Sequence, residues 1–311
     1  MTKGAYVGVG GVARKIKKGY VGVDGKARKI KKAYIGVGGV ARPCWGEGKL
    51  EYYGVVDHLL EERGNFAATT VGGYALFGGG YSSDFIFSNT VDAYTTSLAR
   101  STPTSLSRGR SDLAATTVGG YALFGGGEGG GGAVDAYTTS LVRITPASLL
   151  TGSSKLAATT VGGYALFGGG DNDDDIVDAY TTSLVHSNAT SLSRGRSDLA
   201  ATTVGGYALF GGGDISGDAV DTYTTSLVHS TAASLSWGRR DLAATTVGDY
   251  ALFGGGNSTS KVDAYTTSLV HSAATSLSRG RSDLAATTVG GYALFGGGNV
   301  GGNVVDAYTV A

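Results

Sequence analysis

Cysteine occurs once in the 311-residue chain, at Cys44, and proline only three times. A lone cysteine excludes an intramolecular disulfide framework, so packing alone must hold the fold. Scarce proline beside 55 glycines argues against a proline-rich disordered chain and for a β protein with many tight turns. No run approaches the roughly 18 apolar residues that a membrane-spanning helix needs. The opening "MTKGAYVGVGGVARKIKK" lacks the apolar centre of a cleaved signal peptide. The expectation is a chain with no membrane span and no signal peptide, which could still reach the exterior on a particle, by lysis or by another route.

Net charge is also absent, but the zero hides an asymmetry. Residues 1–50 carry twelve Lys/Arg against two Asp/Glu, and the remainder carries thirteen against twenty-three. That pattern reads as a basic arm, 1–48, on a mildly acidic body, 49–311.

What the body does contain is one sentence repeated. "LAATTVGGYALFGGG", Leu113 to Gly127, recurs almost verbatim six times, with its central tyrosine at Tyr74, Tyr121, Tyr164, Tyr207, Tyr250 and Tyr292. Spacings of 42 to 47 residues, with four strand-like runs per unit and no helical periodicity, predict an all-β propeller of six blades. In the fourth unit "LAATTV", "YALF", "VDAYTT"-type and "LVHS"-type runs are the four strands, separated by turn signals. Small residues in "AATT" suit strands crowded around an axis, and "YALF", apolar on both faces, suits a strand sandwiched between blades. The glycines after it are read as turn chemistry, because no helix follows to complete a phosphate-binding loop. The last unit ends after its third strand, and "ERGNFAATT" aligns with "GRSDLAATT". The stretch from Tyr53 to Glu62 is therefore expected to supply the missing fourth strand and close the ring.

These units resemble the kelch repeat: "ALFGGG", a variable gap, "VDAY", then an arginine before the next blade. The resemblance spans 49–311 and departs from the family where "SLVHS" or "SLVRI" replaces its tryptophan. Some kelch propellers are copper radical oxidases, whose site requires a cysteine crosslinked to tyrosine. Cys44 lies outside the propeller, so that chemistry is not expected here. The arm repeats every fourteen residues from Tyr6, Tyr20 and Tyr34, each copy reading as a β-hairpin with a "GG" or "DG" turn. Around Asp24-Gly25 the expected register pairs Val23 with Lys26, Val21 with Arg28 and Tyr20 with Lys29. Neither face is cleanly apolar, so the arm should order against a partner or by self-association. Its wording is similar to basic repeats that begin phage and prophage tail-associated proteins of gut Firmicutes.

Candidate chemistry is thin. No Ser/His/Asp set or carboxylate pair stands out, and no catalytic residue, metal or cofactor is expected. His186, His229 and His271 share one position in successive blades, too far apart on outer strands for a shared metal. Asp171, Asp173 and Asp175 open like a calcium loop, but Ile176 and Thr182 stand where glycine and glutamate belong. Arg110, Arg196, Arg239 and Arg281, with the outer Arg108, Arg194 and Arg279, precede Asp112, Asp198, Asp241 and Asp283 in the "RGRSD" connections. They read as a structural ion-pair ring between neighbouring blades.

The six segments after "GGG" diverge: "YSSDFIFSNT", "EGGGGA", "DNDDDI", "DISGDA", "NSTSK" and "NVGGNV". All join second to third strands, so they share a face with the connections between blades. Binding residues concentrate on loops carried by a rigid frame. Tyr81, Phe85, Ile86 and Phe87 in the long first loop, the three aspartates of the third, and Trp237 on a connection are the candidate ligand-binding set. The leading expectation is a non-catalytic binding protein that recognises a host surface glycan or protein through this face. Its arm would attach it to a particle or scaffold protein, placing it on a virion or outside the cell. The alternative is a cytoplasmic kelch-type adaptor between proteins. A nucleic-acid-binding arm, with tyrosines among Lys/Arg, is a third and lesser reading.

Overall fold

In the computed structural model the chain divides into two units, Met1–Val55 and Val56–Ala311. The first is described by the backbone of its strands between residues 6 and 46; the second is described from residue 57 to 310, apart from 216, 290 and 300–302. All regular structure among the described residues is β.

The first unit holds three antiparallel hairpins, Tyr6–Val9 with Val12–Lys15, Tyr20–Val23 with Lys26–Lys29, and Lys32–Val37 with Val40–Gly46. Two residues at each turn fix the register. Tyr20 faces Lys29, Val21 faces Arg28 and Val23 faces Lys26, as the "DG" turn dictates.

The second unit is a six-bladed β-propeller. Blade four shows the plan: Ala200–Val204, Tyr207–Gly211, Val220–Thr224 and a short outer strand, His229–Thr231, pair antiparallel in that order. The first strands stand side by side around the axis. There, threonines of adjacent blades join hydroxyl to hydroxyl at 2.9 Å, as in Thr159–Thr203 and Thr202–Thr246. Only side chains this small let six strands converge.

Blades pack through a repeated pair of faces. Val118, Leu123, Val134 and Ala136 of blade two bury against Ala165, Phe167 and Tyr180 of blade three. The glycine ending each second strand makes this fit possible. A Cβ on Gly125 would lie 2.7 Å from the Phe167 ring, and one on Gly211 would lie 2.7 Å from Phe253. That phenylalanine meets the tyrosine of its own third strand edge to face; for Phe124 and Tyr137 the centroids are 6.0 Å apart. The tyrosine hydroxyl then donates to a carbonyl in the connection entering its blade, Tyr137 to Thr104 at 2.7 Å and Tyr223 to Thr190 at 2.7 Å.

The seam between the sixth and first blades differs. Blade six is three-stranded among the described residues. Val289 and Val305 are 59% and 62% exposed, where their blade-two counterparts Val118 and Val134 are 3% and 2% exposed. Of the expected closing strand, Tyr53 to Glu62, residues 53–56 lie outside the described residues. Residues 57–62 form no strand. They act instead as the connection into blade one: Tyr94 donates to the Asp57 carbonyl at 2.9 Å, and the Leu60 amide donates to Asp92 at 3.0 Å.

Candidate functional site

The loops between second and third strands do meet the inter-blade connections on one face, and backbone hydrogen bonds stitch them together. Gly80, Gly127, Gly170, Gly213 and Gly256 each donate an amide to a connection carbonyl, at 2.8–3.0 Å. In the first loop Tyr81 also exchanges hydrogen bonds with Gly64 at 2.9 Å. Among the described residues the first five loops are thus each tied to the connection that follows, rather than standing as separate loops.

Within it, the candidate aromatic residues have unlike roles. Phe85 takes a left-handed φ of +58° and is 80% exposed, stacked on Tyr81 with ring planes 13° apart. Ile86 beside it is 66% exposed. Phe87 instead turns down onto the neighbouring blade: a Cβ on Gly129 would sit 2.6 Å from its ring. The glycine-rich second loop is therefore the seat for the bulky first one. Trp237 is 58% exposed, and the ammonium of Lys261, from the fifth variable loop, lies 5.2 Å from its ring centroid.

The aspartates of the third loop do not converge. Asp171 accepts from Ser154 at 2.5 Å, and Asp174, which the alternating pattern passed over, accepts from the Ser153 hydroxyl at 2.5 Å and the Ile176 amide at 3.0 Å. Asp173 is exposed at a φ of +58°. Asp175 contributes its carbonyl to the Leu192 amide at 2.8 Å.

The arginine–aspartate ring expected in "RGRSD" is corrected by the structure. Arg110, Arg196, Arg239 and Arg281 are at most 1% exposed and structural as expected, but their partners are Asp135, Asp221, Asp263 and Asp306, at 2.6–2.8 Å. These are the aspartates of the "VDAY" strand in the blade that each arginine enters, and Arg63 holds Asp92 likewise at 2.7 Å. Each arginine is therefore bonded within the blade its connection enters, not across to a neighbouring blade. The connection passes the arginine inward and turns the following aspartate toward the axis.

Asp112, Asp198, Asp241 and Asp283 accordingly line the mouth of the central channel with Asn65 and Lys155, around a space of about 320 Å³. All six sit at φ between +50° and +57°. Each amide donates to the preceding carbonyl, from Asp112 to Asn65 through to Asp283 to Asp241, at 2.8–3.0 Å. Burial, then the Asp198 and Asp283 carboxylates, push Asp241 above its ordinary value. Burial raises Asp198 too. Lys155, standing where other blades have aspartate, is raised chiefly by Asp198.

The three histidines are not free surface groups. His186, His229 and His271 each contact the third-strand aspartate of their own blade, Asp178, Asp221 and Asp263, at 2.5–2.7 Å. Arg100 and Arg143 do the same in blades one and two, at 3.0 and 3.6 Å. In blades one, two, four and five one carboxylate thus gathers the incoming connection, the buried arginine and the outer strand, and in blade three Asp178 does so without an arginine. A buried aspartate recurring between apolar residues in "VDAY" was the available signal for this hub.

Two clefts of similar build open on the rim between adjacent loops. One, of about 380 Å³ between blades two and three, carries Glu128, Ser154, Asp171 and Asn172. The other, of about 390 Å³ between blades four and five, carries Asp214, Arg240 and Asn257. Neither was legible from the repeat alone, although Arg240, standing where other connections have serine, marked the second.

No protein-family model and no curated protein matches the sequence. Among solved structures the propeller is similar to that of YjhT, with a TM-score of 0.63 at 14% identity over 82% of this chain and 97% of that one. At that identity the likeness establishes the propeller architecture and nothing of ligand or chemistry.

Proposed function

We propose that the protein is a non-catalytic recognition protein, a kelch-type propeller whose variable rim binds a surface glycan or protein of a host cell. On the resemblance of its basic repeats, the arm attaches it to a phage or prophage tail-associated particle. The observation that carries this reading is the concentration of sequence divergence on one face of a near-invariant frame. Phe85, Ile86 and Trp237, all more than half exposed, lie on that face. A frame held by repeated buried ion pairs tolerates such loops because none of the hub contacts uses them.

The test is retention of the full chain on an array of bacterial surface glycans, beside a Phe85→Ser, Ile86→Ser, Trp237→Ser variant. Phe87 is left intact because it supports the second loop. Specific retention that falls at least about tenfold in the variant, the loss of one good contact, supports the reading. Equal retention of both proteins removes it. The exposed Phe85–Ile86 pair favours one second reading, an adaptor that docks a polypeptide. Capture of a protein partner by the wild type and not by Phe85→Ser, Ile86→Ser, with no glycan retained, would favour that role.

A further inference from the structure

We infer that the boundary of blades four and five is a subsite for a carboxylate-bearing sugar, with Trp237 as stacking platform and Arg240 and Lys261 as the acid-binding pair. The inference rests on the recognition reading above and names the ligand class for one part of the rim.

Internal comparison isolates this place. The connection "SWGRRD" differs from "SRGRSD" in two residues, Trp237 for arginine and Arg240 for serine. Lys261 is the single basic residue in the six variable segments. These three departures come from separate parts of the sequence, yet the fold brings them to one boundary. Lys261 lies over the Trp237 ring at 5.2 Å, and Arg240 lines the adjoining cleft. The cleft's volume of about 390 Å³ falls in the range of small-molecule sites, about 300–1,000 Å³.

The walls indicate what kind of molecule fits. They are three glycines, Asp214, Asn257 and the two arginines, with no aliphatic side chain. A peptide anchor needs an apolar pocket, whereas a ring of hydroxyls needs acceptors, donors and one flat apolar surface. Asp214 is held as a carboxylate: burial would raise it, but the Ser197 amide and hydroxyl and the Ile215 amide bring it below its usual value. It can accept from a sugar hydroxyl without moving. Asn257 accepts from the Arg240 amide through its side-chain oxygen at 3.3 Å, so the donor it can offer a ligand is its amino group. The cleft between blades two and three has the same size but presents Glu128 and Asp171, so an acidic ligand discriminates between the two by charge.

The experiment compares binding of the full chain to a glucuronate-terminated oligosaccharide and to its glucose-terminated counterpart at two salt concentrations. The wild type should prefer the acid by about tenfold, the ratio expected for one charge-assisted contact, and the preference should shrink with salt. A Trp237→Arg, Arg240→Ser variant restores the wording that other blades fold with, and Lys261→Ala removes the ammonium. Both should bring the ratio to about one while far-UV circular dichroism stays unchanged. Equal affinity for the two sugars, or a ratio that survives both variants, overturns the subsite. A poly-glutamate peptide that binds with the same dependence on Trp237 also overturns it. Retention of neutral glycans through Phe85 and Ile86 with no acid preference would sink the subsite alone. Retention of no glycan at all would sink the glycan-recognition reading with it and leave the polypeptide-docking role to be tested.

Discussion

Asp221 shows how much one side chain organises. It accepts from Arg196 at 2.7 Å, from the Ser193 amide at 2.8 Å and from His229 at 2.7 Å. Replacing Arg196 by Met strands a buried carboxylate and should cost about 3–5 kcal/mol, whereas Arg196→Met with Asp221→Leu should recover much of that loss. Urea unfolding of the two variants checks the difference. Blade three lacks the arginine, since Ser153 stands in its place, and Asp178 relies on His186, Asn188 and the Leu150 amide. His186→Ala should therefore destabilise by about 1–3 kcal/mol, the cost of a poorly satisfied buried acceptor, and His229→Ala by less. Acid tests the hubs as a set. Burial alone would raise Asp221 and Asp263, but Arg196 with His229, and His271 with Arg239, pull them below the ordinary value. Their contribution is present above the unfolded value of about 4 and is lost as pH falls through the folded value. Asp198 and Asp241 are shifted upward, so their strain is relieved as pH falls toward about 4. Melting temperature should hold or rise slightly on mild acidification and then drop, with the early rise reduced in Asp241→Asn.

At the scale of elements, the rim is built from interlocking loops. Phe87 of the first loop occupies the space that the second loop's Gly129, at a φ of +81°, leaves open. Gly129→Val both strains the backbone and collides with the ring, and should displace the first loop. A cycle of Phe87→Ala, Gly129→Ala and the double variant should show coupling of about 0.5–3 kcal/mol, measured by thermal unfolding. Additive effects would mean that the loops are independent. The sequence made the two loops visible as divergent segments, but their complementarity joins residues 42 positions apart and needs the blade geometry to be seen. The same holds for Trp237 and Lys261. The arginine–aspartate pairs are hidden for a related reason: the repeat sets Arg110 close to Asp112, but its partner is Asp135, 25 positions on, on the third strand of the blade it enters rather than across a blade boundary.

For the whole molecule, the repeat makes five equivalent interfaces, and the sixth boundary is the exception. Blade six presents Val289 and Val305 to solvent, and Gly296 has no phenylalanine ring against it as Gly125 and Gly211 do. Local stability follows buried apolar contact. Amides of Ala285–Val289 and Val305–Thr309 should exchange first among the blade strands, and those of blades three and four last. Uniform protection across all six blades, read by hydrogen-exchange mass spectrometry, would show that the seam is as tightly packed as the others.

The amino-acid sequence by itself determined the blade count, the order of strands within each blade, the hairpin register of the arm and the face on which divergence lies. Period and alternation are local properties, and a strand reads its own neighbours within a few residues. Tertiary structure alone decided which charged groups pair, how the channel mouth comes to be lined with carboxylates, and which loop residues share a cleft. Each of these joins side chains from different segments of the chain. Their proximity depends on the twist, spacing and turn geometry of a folded ring, which no local pattern encodes.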